Sequence, residues 1–165
     1  MSISGNVLKF GNNVDTDAIL PGKYLVLTDP KDLAQHAMEG LDRIFTEKAK
    51  RGAILVAGKN FGCGSSREQA PLALKYAGVR CVLAESFARI FFRNAINIGL
   101  PAVQFKNALS RVDEDDELIV DLEAGKIRNL SKGVVHRVDR LPPFILEILS
   151  DGGLIANLRK RMKKK

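Results

Sequence analysis

The sequence predicts an α/β domain with a parallel sheet core flanked by helices and an added antiparallel β portion. Three observations lead there. Between residues 53 and 105, three short apolar runs alternate with two segments of helical period, and every connection is short. Beyond residue 117 the pattern changes to brief strands joined by turns, with no helix between them. Finally, 165 residues at 45% hydrophobic content supply about one domain's worth of chain and core. No internal repeat or long linker divides it. Residues 1–158 therefore read as one domain, followed by a basic tail at 159–165.

Taken in order, Val7–Phe10 reads as a strand and Gly11-Asn12-Asn13 as a turn. Val14 to Gly22 fits neither strand nor helix. Its short polar side chains, Asp15, Thr16 and Asp17, suit local bonds to the backbone, which makes it an ordered loop. Residues 22–29 form another loop. Asp29-Pro30 opens a helix, with Asp as N-cap and Pro at the first helical position, and the helix is expected to reach about Gly40. Leu41 to Lys50 continues as a second helical stretch.

Ala53–Ala57 is an apolar run between glycines, a buried strand. Ala70, Ala73, Leu74 and Ala77 then recur at i, i+3, i+4 and i+7, a helical stripe that Gly78 ends. Val79–Ala84 is a second buried strand. Ser86 opens a helix whose Phe87, Ile90, Phe91, Ala95 and Ile98 share one face, up to Gly99; Pro101–Phe105 is the third strand. This alternation implies right-handed crossovers and a parallel sheet covered by helices. The acidic run Asp113 to Glu117 lacks the interleaving and glycine of a calcium loop and reads as a solvated turn. Leu118–Leu122, Ile127–Leu130 and Val134–Val138 supply the antiparallel strands. Pro142-Pro143 starts a helix that breaks at Gly152-Gly153, with an amphipathic turn or two beyond.

Composition excludes several classes of function. No run approaches the ~20 apolar residues needed to span a bilayer, and the first ten residues lack a signal-peptide core. Two cysteines, Cys63 and Cys81, make no disulfide framework, so the default address is cytoplasmic. Two thiols are also too few to hold an iron–sulfur cluster. The net charge of +7 suggests nucleic acid at first sight. However, six of the 26 basic residues lie in 159–165, which lowers +7 to +1 for residues 1–158. The tail reads as a solvated, frayed terminus rather than as a contact for an acidic partner or nucleic acid. The body carries no aromatic-studded basic stripe.

The segment richest in chemistry is Gly58 to Glu68, between a buried strand and a helix, where ligands of open α/β sheets bind. Gly62 and Gly64 let the backbone turn sharply. Ser65, Ser66 and Arg67 stand at the helix entrance, where free N–H groups and the guanidinium fork suit a carboxylate or phosphate. The spacing fits neither a P-loop nor a dinucleotide fingerprint, whose third glycine would fall at Arg67. Ser65-x-x-Glu68 also matches a capping box. Pro71 works against that cap and places the helix start near Ala70. Anion binding and capping both stay open at this level. Asp15 and Asp17 suit an ordered turn better than an acid/base pair. Cys63 reads as a small space-filling residue rather than a redox thiol, Cys81 as core, and His36 and His136 as structural. Arg89 and Arg93 either line the site or face solvent.

Gly62-Cys63-Gly64-Ser65-Ser66-Arg67-Glu68, with Ala84-Glu85-Ser86-Phe87-Ala88-Arg89-Ile90, Arg93-Asn94-Ala95, Asn13-Val14-Asp15-Thr16-Asp17-Ala18-Ile19 and Pro21-Gly22, resembles the swivel domain of the aconitase family. The form it is most similar to is the separate small subunit of the isopropylmalate dehydratases, over roughly residues 3 to 160. The resemblance implies an aconitase swivel-like β/β/α domain. It implies a hydro-lyase acting on a small hydroxy acid, isomerising 2-isopropylmalate to 3-isopropylmalate in leucine biosynthesis. Related hydro-lyases of homoaconitate, citraconate/methylmalate or dimethylmalate are the near alternatives.

Carried over by position, Ser65 is the catalytic base, and Ser66 and Arg67 bind a substrate carboxylate. The alkoxide of Ser65 would be stabilised by helix-entrance N–H groups and Arg67. Val26, in the loop Gly22 to Thr28, faces the variable substituent, where homoaconitase-like chains carry an arginine. The resemblance implies no cofactor on this chain, and a [4Fe–4S] cluster on a large catalytic subunit that partners it in a heterodimer or heterotetramer. It implies neither nucleic acid nor membrane as a partner.

Overall fold

The computed structural model describes residues 1–165. Its strands are β1 (Ser2–Lys9), β2 (Ala53–Ala57), β3 (Val79–Ala84), β4 (Ala102–Gln104), β5 (Glu117–Asp121), β6 (Lys126–Asn129) and β7 (Val134–Arg137). All seven join one sheet in the order β4-β3-β2-β1-β5-β6-β7. β1 is the seam, pairing parallel with β2 on one edge and antiparallel with β5 on the other. The expected antiparallel portion is therefore a continuation of the parallel sheet.

The strand sequences show why. β2 is buried at all five residues because both of its faces are covered, and its sequence is wholly apolar. Its side chains alternate between two cores. Leu55 and Ala57 join the larger one, with Leu33, Phe61, Leu74 and Phe91. Ile54 and Val56 join the second, with Phe105, Val112, Leu118 and Ile127. β6 instead alternates exposed and buried, as a strand with one open face must. Phe105, just past β4, lies 5.3 Å from the ring of His136 in β7. Those strands are the two ends of the sheet order, so the sheet curls around the second core.

The helices are α1 (Thr16–Ile19), α2 (Pro30–Ala34), α3 (Phe45–Ala49), α4 (Gln69–Ala77), α5 (Arg89–Asn97), α6 (Ala108–Arg111), α7 (Pro143–Ser150) and α8 (Leu154–Lys163). α4 and α5 are the expected crossovers, and no helix is long and apolar enough to cross a membrane. Several expectations need correction. The 14–22 loop contains one helical turn, α1, capped by Asp15, whose carboxylate accepts from the Ala18 amide at 2.7 Å. Asp29 caps α2 as expected, but the helix stops at Ala34 rather than Gly40. A tertiary bond overrides local propensity there. Met38 is fully buried at φ 58°, with its amide donating to the Ile19 carbonyl at 2.7 Å. The stretch from Leu41 to Lys50 is helical only as α3.

Ser86 does not open α5, because its hydroxyl accepts from the Asn60 amide. Ile90 is exposed, and Ile96 takes a buried place instead. The acidic run is not wholly solvated. Asp116 is buried and accepts from the Asn129 side chain at 2.7 Å and the Asp113 amide at 2.9 Å. The basic C-terminus is ordered as α8 up to Lys163 rather than frayed. Lys160 and Arg161 pair there with Asp151 and Glu147 near the end of α7.

Gly78 ends α4 at φ 117°, and a Cβ there would come within 2.0 Å of the Ala49 carbonyl oxygen. Gly78→Ala should cost at least about 1–3 kcal/mol from backbone strain alone, read as a lower urea midpoint. His136 turns its ring into the second core, where Nε2 is buried without a partner. Burial, then Arg111 and Lys132, hold its pKa below the ordinary 6.5. The unfolded chain therefore binds a proton that the folded chain refuses, and stability falls as pH drops below about 6.5. In His136→Leu, the fall in melting temperature between about pH 7.5 and about pH 5.5 should shrink relative to the parent.

Candidate functional site

The four parallel strands end on a common edge, and the three segments that leave β1, β2 and β3 there are laced together. The Gly58 amide donates to the Gly11 carbonyl (3.0 Å), Asn13 to Lys59 (2.8 Å), Gly62 to Val14 (2.8 Å) and Thr16 to Cys63 (2.8 Å). On the other side, the Phe61 amide donates to Ser86 (3.0 Å) and Ala88 donates back to Phe61 (2.9 Å). The 58–64 segment thus acts as a further strand past the end of β2. The Phe61 ring is buried, edge-on to Phe87 and Phe91. Gly62, at φ 81°, crosses directly over Phe91, where a Cβ would lie 2.2 Å from the ring. This turn lifts the chain out of the core and presents the residues that follow.

Those residues are Ser65 and Ser66, both exposed. The capping box is not formed. α4 begins at Gln69, with Glu68 as its N-cap and no side-chain cap bond. Pro71 accordingly falls in the first turn, where its missing N–H breaks no bond. Ser65 therefore stands four residues ahead of the helix, which corrects the expectation that helix-entrance amides surround it. A different set of donors is available. The amides of Gly64 through Gln69 donate to no acceptor within the chain, leaving six consecutive N–H groups on this rim.

Arg67 differs from the serines in being mostly buried, its side chain only 20% exposed. Its Nη1 donates to Asp17 Oδ1 at 3.2 Å and to the Leu20 carbonyl at 3.4 Å. The same Asp17 oxygen accepts from the Gly22 amide at 2.9 Å. The Gly22 amide, then the Arg67 guanidinium, hold the Asp17 carboxyl below the usual carboxylate range. Asp15 and Asp17 do not face each other as an acid/base pair. The first caps α1, and the second joins Arg67 to the start of the next loop.

That loop begins with a 3₁₀ turn, Gly22–Tyr24. Leu25 and Leu27 pack against the larger core, whereas Val26 between them is 82% exposed. Tyr24 stacks on His36 with ring centroids 3.7 Å apart, and His36 Nδ1 lies 2.9 Å from Glu39 Oε2. His36 is thus structural, as expected, and it braces the loop that carries Val26. No feature of its sequence neighbourhood marks that role. Arg89 and Arg93 are exposed on α5. Cys63 is half-buried beside Asp15, and Cys81 is fully buried, its thiol pushed up to about 12. No three His, Cys, Asp or Glu side chains come together as a metal-ligand set.

The arrangement is a rim of unpaired N–H donors and a mostly buried guanidinium, with two exposed hydroxyls beside them. The family described as Aconitase C-terminal domain matches residues 3–133. The isopropylmalate/citramalate isomerase small subunit of Methanocaldococcus jannaschii is 60% identical over 160 residues, covering 97% of this chain and 95% of that one. A 3-isopropylmalate dehydratase small subunit of Caldanaerobacter subterraneus is 51% identical over 161 residues, covering 98% and 100%. The crystal structure of a 3-isopropylmalate dehydratase from Methanocaldococcus jannaschii superposes with a TM-score of 0.93 at 47% identity, covering 98% and 96%. Likeness of sequence and of fold extends from end to end, so the chain belongs to the aconitase C-terminal domain family, among its 3-isopropylmalate dehydratase small subunits.

Proposed function

We propose that this chain, joined to a large subunit, isomerises 2-isopropylmalate to 3-isopropylmalate by dehydration and rehydration in leucine biosynthesis, in the cytoplasm. The observation that carries this reading is the run Ser65-Ser66-Arg67. Two exposed hydroxyls and six free amides lie next to a buried guanidinium held in place by Asp17. Such a set binds a carboxylate and leaves a hydroxyl beside it.

The chemistry follows from what each group can do. The Arg67 fork and the Ser66 hydroxyl take one substrate carboxylate. Ser65 Oγ, as alkoxide, removes the proton from the carbon next to a carboxylate. The electron pair of that C–H bond becomes the new double bond, and the hydroxyl on the neighbouring carbon leaves with its bonding pair as hydroxide, which an acid on the large subunit would protonate to water. The Ser65 proton then adds to the carbon that lost the hydroxyl, and hydroxide from that water, its proton returned to the same acid, adds to the carbon that lost hydrogen, which gives the isomer and restores the alkoxide. Serine is a very weak acid, so its alkoxide needs the Gly64–Gln69 amides and Arg67 in a site closed to water. The rim is open on this chain alone, so closure falls to the large subunit. A [4Fe–4S] cluster belongs to that subunit in this reading. Two cysteines on different elements and no cluster of metal-ligating side chains do not fit such a group here.

Val26 supports an alkyl-substituted substrate class. An exposed valine meets an alkyl substituent well and would leave a third carboxylate unpaired on closure, which is costly. A methyl group satisfies it as well as an isopropyl group. The relative named for both isopropylmalate and citramalate favours citramalate as a second substrate.

Ser65→Ala should lower kcat by a factor on the order of 10²–10⁴ while the two subunits still co-purify; near-normal turnover would refute the base assignment. Val26→Arg should move the kcat/KM ratio toward homoaconitate-type tricarboxylates by a factor on the order of 10², measured against 2-isopropylmalate in the same preparation. An unchanged ratio would remove Val26 from the specificity surface.

A further inference from the structure

We infer that Asp17 is a positioning residue that sets the carboxylate anchor and the specificity loop in one register. The inference rests on the reading of Arg67 and Val26 given above and adds a residue to it. A guanidinium has five N–H donors. Two of them, both on Nη1, are directed at Asp17 Oδ1 and the Leu20 carbonyl. The Nε and Nη2 edge is left over, and that edge forms the parallel pair of bonds a carboxylate accepts. Asp17 thus selects which side of the fork the substrate meets. A mostly buried arginine without such a partner would keep several rotamers open and bind the carboxylate in several poses.

The same oxygen also holds Gly22, the first residue of the loop that carries Val26 four positions later. A Cβ on Gly22 would sit 3.5 Å from both Arg67 Nη2 and Asp17 Oδ1. Any side chain longer than a methyl therefore starts against the guanidinium edge that the substrate needs. The anchor Arg67 lies fifty residues from Asp17 in sequence and the loop begins five residues after it, and one carboxylate oxygen fixes their spacing. 2-Alkylmalates carry the alkyl group on the same carbon and differ only in its reach, so the distance from the anchored carboxylate to the loop decides how well each alkyl group meets Val26. Asp17 touches neither reacting atom, and it acts through Arg67 and Gly22.

The experiment uses the assembled two-subunit enzyme with 2-isopropylmalate and citramalate. Asp17→Ala removes both bonds. It should raise KM for both substrates about tenfold, keep kcat within about threefold, and change the ratio of their kcat/KM values severalfold. Asp17→Asn keeps an acceptor for Gly22 and loses the charge facing Arg67. It should raise KM while leaving the substrate ratio near that of the parent. In an Arg67→Lys background, Asp17→Ala should add little, because the fork it orients is gone. Ser65→Ala is assayed alongside. If Ser65→Ala is inactive while both Asp17 variants keep parental KM and substrate ratio, the positioning role is overturned and the site reading stands. If Ser65→Ala is fully active, the site reading itself fails. If Asp17→Ala does not fold, Asp17→Asn decides by its KM.

Discussion

Phe61 is gripped by its backbone on one side and its ring on the other, and the geometry of the site depends on that grip. Its amide and carbonyl bond to Ser86 and Ala88, while its ring lies buried against Phe87 and Phe91. The next residue must then pass over the Phe91 ring with no side chain of its own. Serines on a flexible loop would be poorly placed for proton transfer. Here the exposed pair follows a turn fixed by aromatic packing and by bonds to both neighbouring segments. A core interaction therefore sets where the chain leaves the core, and with it where the exposed serines begin.

The sheet explains why one edge is available for this. β1 satisfies a parallel neighbour and an antiparallel one, so the strand order can run from crossovers into hairpins without a break. The antiparallel strands curl toward Phe105 and close the second core, which leaves the first core to α1 to α4 and one side of α5. Short helices suit that face. α2 is brief because a tertiary bond limits it, the Met38 amide reaching the Ile19 carbonyl. The result is a rim built from many short, mutually bonded pieces, with α1 close enough for Asp17 to meet Arg67.

Legibility in the sequence followed the range of the determining interaction. β2 and β3 were readable to the residue, because strands buried on both faces are almost wholly apolar, with only the exposed Arg80 near the start of β3 departing from that. The end of α4 at Gly78 was readable because a left-handed cap is a local requirement. The extent of α2 was not, since its end depends on a contact between residues 19 and 38. The start of α5 was not, since Ser86 is occupied by Asn60 rather than by its own helix. At the site, motif and resemblance pointed to Ser65, Ser66, Arg67 and Val26. The Asp17–Arg67 bond and the Tyr24–His36 brace carry no local signature. Both join residues whose sequence neighbourhoods look like ordinary turns.

In the proposed reaction, the difference in burial within Ser65-Ser66-Arg67 separates two jobs assigned to adjacent residues. A carboxylate anchor gains from a fixed orientation, and a mostly buried guanidinium with two internal acceptors has one. A general base must lose its own bonds to be useful, and a serine already capping a helix would have to give up that bond first. The helix start at Gln69 removes that competition, because the proline in its first turn and the Glu68 N-cap place the helix beyond the serine. The six unpaired amides then have no internal acceptor to favour over an oxyanion. Water satisfies them while the rim is open. A partner that excludes water would leave a substrate carboxylate or the Ser65 oxygen as their remaining acceptors, so in the proposed reaction docking and activation of the base become the same event.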